Sequence, residues 1–154
     1  MRHFSIRIIL VAVLLAVTAA GSHAQCGIDN KAFKSGEFLY YDLFFNWKFI
    51  WVKVGTASMS TVKSTYDGKP AYRASLITRG NNKLDKVFVM RDTLLSYCTD
   101  DIVPLYFRKG AHEGKRYYVD ELWYSYPAGK CHLKKHRIEH DGRHVRSESE
   151  YNEL

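Results

Sequence analysis

The chain has 154 residues, with 23 Lys and Arg against 16 Asp and Glu, so its formal net charge is +7. Aromatic residues make up 14% of it, and Tyr alone contributes 11, which is too many for a disordered tail or linker. After residue 24 no apolar run reaches the ~18 residues of a membrane-spanning helix. The remaining residues, 25–154, are expected to form a single β-rich domain with a substantial core.

The first 24 residues have the three-part layout of a secretory signal peptide. Met1–Arg7 is short and basic, Ile8–Ala20 is apolar apart from Thr18, and Ser22 and Ala24 are the small residues of a cleavage site. A buried N-terminal helix is the alternative, but the segment has no amphipathic face. We therefore expect cleavage near Ala24 and export to the periplasm or cell envelope.

The mature cysteines are Cys26, Cys98 and Cys131. Gln25 precedes Cys26, where a lipid-attachment site needs a small residue, so we expect no lipid anchor. Export permits disulfides, and three single pairings are open. Cys98–Cys131 is preferred because both residues lie in strand-like segments, although three reduced thiols remain an alternative. No C-x-x-C motif supports a redox or zinc site.

From Phe33 onward, apolar residues recur at spacing two between turn residues, a pattern that predicts β-strands. Seven or eight strands at this spacing predict an all-β, mainly antiparallel fold, either a curved sheet or an open β-barrel. The predicted strands are Glu37–Phe45, Phe49–Lys63, a strand returning from Pro70, Thr93–Cys98, Leu105–Ala111, Lys115–Tyr126, Lys130–Ile138 and Arg143–Ser149.

Two local signals refine this picture. Asp67-Gly68 predicts a two-residue hairpin turn, and Gly55 a bend or bulge in the long preceding strand. The turn predicts the pairs Ala57–Thr78, Met59–Leu76 and Thr61–Ala74.

One segment, near residues 82–90, has helical spacing. Leu84, Val87 and Phe88 lie at i, i+3 and i+4, and Asn82 is a candidate N-cap. We expect one short helix there.

The histidines His132, His136, His140 and His144 are evenly spaced. On a strand, His136 and His140 lie roughly 13 Å apart, too far to share an ion with bonds of about 2.1 Å. A two-residue turn at Asp141-Gly142 pairs Glu139 with His144, on the face opposite His140. The sequence therefore predicts an exposed polar hairpin and no metal site.

Catalytic patterns are also lacking. Asp100-Asp101 and Asp120-Glu121 are adjacent, so on strands their carboxylates point to opposite faces. The sequence contains no nucleophile elbow, metalloprotease motif, P-loop or dinucleotide fingerprint. An enzyme is not favoured, and no catalytic residue or cofactor is predicted.

Aromatic and basic residues provide the candidate binding residues. Aromatics crowd two strands and occupy both faces of each, so one face can fill a core while the other needs a cover. The segment Lys130–Arg146 carries most of the mature positive charge, suited to anionic lipid or sugar groups, or simply to solvation. The candidates are Phe45, Trp47, Trp51, Tyr118, Trp123, Tyr124, Lys134, Lys135 and Arg137.

A set of short motifs resembles an exported bacterial family, the domain of unknown function numbered 3108. The motifs are Phe33-x-x-Gly36-Glu37-x-Leu39-x-Tyr41, Val54-Gly55-x-Ala57, Asp92-x-x-Leu95-Ser96, Pro104-x-x-Phe107 and Glu113-Gly114-x-x-Tyr117. The run Asn46–Trp51 resembles members from Bacteroides-type bacteria. The resemblance covers roughly residues 33–149 and implies a β-rich envelope protein without established activity. Members of the family are usually longer, so it also implies a chain shortened at its C-terminus.

Together these observations predict a non-enzymatic envelope protein that binds a lipid-like or other envelope ligand on a concave aromatic face. The alternative is a structural or assembly factor that holds a protein partner. Nucleic acid is not an expected partner of an exported protein.

Overall fold

The computed structural model of the protein describes residues 30–152, so the predicted signal peptide and Cys26 lie outside the described part. Each strand pairs antiparallel with the next along the chain, in one open, curved, eight-stranded sheet. The predicted all-β antiparallel class is confirmed, and the sheet is not closed into a barrel. The strands are β1 (Glu37–Trp47), β2 (Ile50–Tyr66), β3 (Lys69–Gly80), β4 (Met90–Cys98), β5 (Pro104–Glu113), β6 (Arg116–Ser125), β7 (Cys131–Ile138) and β8 (His144–Tyr151).

The β2–β3 hairpin has the predicted register. Its two turn residues, Asp67 and Gly68, have φ angles of 49° and 75°, the left-handed conformations of a type I′ turn. This turn matches the twist of the flanking strands and leaves no residue over. The three predicted pairs are all present: Ala57–Thr78, Met59–Leu76 and Thr61–Ala74.

The β1–β2 pairing contains the predicted irregularity. The register shifts between Leu43 and Phe44, which pair with Gly55 and Lys53, so Val54 is the extra residue of a bulge. Gly55 is buried beside β3, and a Cβ atom there would lie 2.3 Å from the Arg79 carbonyl oxygen. Only glycine permits this close approach of the two backbones.

The predicted helix near residues 82–90 is much shorter than expected. A single 3-10 turn spans Asn82–Leu84, and its N-cap is Asn81 rather than Asn82. Turns follow over residues 85–87, and the Val87 and Phe88 amides both donate to the Leu84 carbonyl. No helix in residues 30–152 is long and apolar enough to cross a bilayer.

The β7–β8 turn differs from its prediction by one residue. The Gly142 amide donates to the Glu139 carbonyl at 2.9 Å, and Gly142 has φ of 79°. This is a three-residue loop with a glycine in the left-handed region, not a two-residue turn. His144 therefore pairs with Ile138 rather than Glu139, which moves its side chain to the other face of the sheet.

Register defines the two faces, because directly paired residues project from the same side. On one of them, here called the leucine face, a row of paired residues crosses the sheet. Over β1 to β4 this row is apolar: Leu39, Met59, Leu76 and Leu94. Over β5 to β7 it is charged: Lys109, Asp120 and Arg137. This row thus has an apolar half and a charged half.

Packing is local rather than deep. On the leucine face the Phe33 ring meets the Tyr72 ring edge-on at 5.1 Å. On the opposite face a cluster of four rings spans β2 to β6: Tyr66, Tyr97, Tyr106 and Trp123.

The substantial core expected from chain length is not present in residues 30–152. Within this part, no large side chain is fully buried, because no second layer covers either face of the sheet. The buried apolar residues are Ala57, Ala71, Tyr72, Ala111, Val119 and Cys131.

We predict that Gly55→Ala lowers the free energy of unfolding by about 2 kcal/mol, because the new methyl group collides with the rigid β3 backbone. Gly110→Ala is the matched control, since its Cβ would meet only the flexible Arg108 guanidinium, at 3.4 Å. Urea unfolding followed by circular dichroism measures both variants. Equal stability of the two would contradict the close approach at Gly55.

Candidate functional site

An apolar cavity of about 450 Å³ opens on the leucine face, within the size range of small-molecule sites. It lies where β1 and β3 end and where β2 and β4 begin. Apart from Gly80, every lining residue is hydrophobic: Phe45, Val54, Leu84, Val87, Phe88 and Met90. Val87 is 85% exposed, so a solvated apolar side chain stands at the edge of the cavity.

Hydrogen bonds hold the loop that forms one wall of this cavity. The Asn81 amide donates to the Val54 carbonyl at 2.8 Å, and the Asn81 side chain accepts from the Lys83 amide at 3.0 Å. Asp85 forms an ion pair with Arg91 at the start of β4. These contacts hold the loop in place beside the sheet, although Val87 and Phe88 stay exposed.

A polar pocket of about 600 Å³ lies at the same end of the sheet, beside β5, β6 and β7. It has three arginines and three carboxylates, so its formal charge is balanced. Arg143 contacts Asp141 at 3.4 Å and Arg137 lies 3.9 Å from Glu139. The lining residues are Glu113, Arg116, Tyr117, Tyr118, Arg137, Glu139, His140, Asp141 and Arg143.

A charged cluster adjoins the polar pocket through Arg137 and Tyr118, which line it. Arg137 donates to both Asp120 oxygens, at 2.6 Å through Nε, and these hydrogen bonds lower the pKa of the Asp120 carboxyl against the effect of burial. Arg137 also lies over the Tyr118 ring, 5.0 Å from its centroid. The Lys109 ammonium donates to the Tyr118 hydroxyl at 2.8 Å, which raises the pKa of Lys109 to about 12.

The β5–β6 turn separates the two pockets. Gly114 has φ of 62°, and its amide donates to the Val89 carbonyl at 2.7 Å. A Cβ atom at Gly114 would lie 3.2 Å from the Phe88 ring, so that ring packs directly on the turn. Phe88 lines the apolar cavity and Glu113 the polar pocket, which makes the two pockets neighbours.

The model of the family described as "Protein of unknown function (DUF3108)" matches residues 40–152. The chain belongs to the DUF3108 family. This confirms the resemblance drawn from the motifs. No curated protein and no solved structure matches the chain. Since DUF3108 is a family of unknown function, membership transfers no catalytic residue or ligand to this member.

Five of the predicted binding residues lie on the leucine face of this DUF3108 member: Phe45, Tyr118, Tyr124, Lys135 and Arg137. The structure brings Tyr118 and Arg137 into contact in the polar pocket and places Phe45 in the apolar cavity. Burial raises the pKa of Tyr124, which pairs with Leu133 away from both pockets.

Three other predicted residues, Trp51, Trp123 and Lys134, lie on the opposite face. Trp51 is exposed and meets the Phe44 ring at 6.3 Å, and Trp123 packs on Tyr106 at 5.7 Å. Register thus divides the predicted aromatic surface between two faces. Trp47 ends β1, and its side chain lies outside the described part of the chain.

The basic segment is partly neutralised by β8. Lys130 contacts Glu150 at 2.7 Å and Lys134 contacts Glu148 at 3.6 Å. Both glutamates lie beyond Arg146, so a charge count that stops there overstates the positive field. Over residues 130–152, six basic residues face four acidic ones.

Cys98 and Cys131 do not form the predicted disulfide, and both are free thiols in the structure. Cys98 ends β4 and Cys131 begins β7, with β5 and β6 between them. Neighbouring strands lie about 4.8 Å apart, and a disulfide needs Cα atoms within about 7 Å. Burial raises the pKa of the Cys98 thiol.

Sequence reasoning did not select the loop residues that line the apolar cavity. Leu84, Val87 and Phe88 were noted for helical spacing alone. The sequence signal that could have indicated them is a cluster of apolar residues inside a polar loop, because exposed hydrophobic clusters are unusual. Arg116 was missed because a strand's first residue carries no pattern of its own.

We predict that Asp120→Asn lowers the free energy of unfolding by about 2 kcal/mol at neutral pH, because Arg137 loses its charged acceptor. The folded-state pKa of Asp120 lies below the usual 3.8, so the stabilisation is complete above that pH and is lost as pH falls through the folded-state value. The difference from wild type should narrow below about pH 4.

Thermal and urea unfolding from pH 2 to pH 8 measure this dependence. Asp101→Asn, an exposed carboxylate in the β4–β5 loop, is the control and should change little. A pH-independent deficit in Asp120→Asn would refute the role of the ion pair.

Proposed function

We propose that this DUF3108 member is an exported, non-enzymatic protein that binds one lipid-like ligand on its leucine face. The carrying observation is the apolar cavity, which lies directly beside the polar pocket. An amphiphile has the same division between an apolar chain and a polar head. The signal-peptide layout of residues 1–24 supports export to the periplasm or envelope.

The apolar part of the ligand would occupy the cavity formed by the β3–β4 loop. Phe88 and Val87 are exposed there, although burying them would be favourable. Each methylene removed from water by an acyl chain contributes about 0.8 kcal/mol. An acyl chain in the cavity would therefore remove both its own methylenes and the loop side chains from water.

The polar head would contact the polar pocket. Arg116 and Arg143 are exposed there, whereas Arg137 is occupied by Asp120. This assignment replaces the earlier one, in which Lys134 shared the head-group role, because Lys134 lies on the opposite face. With charges balanced around the pocket, a polar or zwitterionic head fits as well as an anionic one.

A protein partner is the second candidate. Within residues 30–152, β1 and β8 each pair on one side only, so both edges present a free backbone ladder. On β1, Phe38, Tyr40 and Phe44 are also exposed. An extended segment of an envelope protein could add a strand there, as an assembly factor requires.

The Bacteroides-type origin also stays a prediction.

We predict that wild-type protein purified from cell envelopes carries one amphiphile per chain, detected by native mass spectrometry and organic extraction. Val87→Glu should abolish this, because it places a charge at the edge of the apolar cavity. Ile102→Glu is the matched control, an exposed apolar residue in the β4–β5 loop at the other end of the sheet, and it should keep the ligand.

An apo mass for both wild type and Ile102→Glu would overturn ligand binding. Co-purification of an envelope protein, lost on charge reversal along β1, would instead favour the assembly factor.

A further inference from the structure

Two histidines on the face opposite the leucine face point their ring nitrogens at each other. His136 Nε2 lies 2.8 Å from His144 Nδ1. The ring centroids are 5.0 Å apart and the planes differ by 20°, so the rings lie nearly end to end. The three-residue β7–β8 loop creates this contact, because the predicted two-residue turn would place His144 on the other face.

A carboxylate lies behind His136. Glu121 Oε2 is 3.5 Å from His136 Nδ1, and the Tyr106 hydroxyl donates to Glu121 Oε1 at 2.8 Å. This arrangement favours the His136 tautomer with its proton on Nδ1, which leaves a lone pair on Nε2. A carboxylate behind a histidine is the usual support of a metal-binding imidazole.

We propose that His136 and His144 bind one borderline divalent metal ion, with Cu²⁺ preferred over Zn²⁺. Imidazole nitrogens suit both ions, and Cu²⁺ binds more tightly in the Irving–Williams order. Two nitrogen ligands of a tetrahedral ion lie about 3.3 Å apart. The distance between His136 Nε2 and His144 Nδ1 must therefore increase by roughly half an ångström when the ion binds. His144 is exposed on the edge strand β8, where its ring can turn.

The neighbouring side chains determine how tightly the two histidines bind a metal ion. No group of three or more His, Cys, Asp or Glu side chains suited to a metal occurs in residues 30–152, so water would complete the coordination. Arg146 pairs with His136 on the same face, and its cation opposes a metal ion. Glu121 offsets this charge from behind the ring. His140 does not contribute, because its Nδ1 accepts from the Tyr117 amide.

The test uses tag-free mature protein with alkylated thiols, titrated with Cu²⁺ and Zn²⁺ by calorimetry. Electron paramagnetic resonance of the copper form counts the bound nitrogens. Wild type should bind one ion per chain with two nitrogen ligands. His136→Gln and His144→Gln should each weaken binding more than about tenfold, because loss of a supporting partner alone costs about 10–100-fold.

His132→Gln and His140→Gln are matched controls from the same hairpin and should bind like wild type. Glu121→Gln should weaken binding without changing the nitrogen count. Thermal melts of each variant establish that it is folded. Undiminished binding in His136→Gln or His144→Gln, or equal loss in both controls, would overturn the site.

Discussion

The register of seven antiparallel pairings, among the eight strands described, determines the face on which each side chain lies. Side chains alternate with period two, so a slip of one residue would exchange the faces of a whole strand. The β6–β7 register places Asp120 opposite Arg137, and the β3–β4 register places Leu76 opposite Leu94. The apolar cavity, the charged cluster and the histidine pair all depend on this alignment.

Two Asp-Gly turns show how far sequence can predict register. At Asp67-Gly68 both residues have positive φ, and the two-residue turn correctly predicts the pairs of the β2–β3 hairpin. At Asp141-Gly142 only the glycine is left-handed, and the Asp141 side chain accepts from the Arg143 amide at 3.0 Å. The dipeptide suits both conformations, so the sequence could not exclude the longer loop that changed the face of His144.

Strand positions were predictable from alternation, whereas the residues that line the two pockets were predictable only in part. Trp51 and Phe45 are both aromatic residues near one strand end, yet the register places them on opposite faces. The apolar spacing of Leu84 and Phe88 fits a helix, but it also fits a succession of turns that covers a sheet. The Cys98–Cys131 prediction failed for a related reason, since strand character does not show which strands are neighbours.

The leucine face has no covering layer in residues 30–152, and we propose that a lipid-like ligand covers part of it. The most direct test is photo-crosslinking with a fatty acid that carries a diazirine on its chain, followed by peptide mapping. We predict saturable labelling at Leu84, Phe88 and Met90, which line the apolar cavity. Labelling confined to Tyr106 and Trp123 on the opposite face, or labelling that does not saturate, would contradict it.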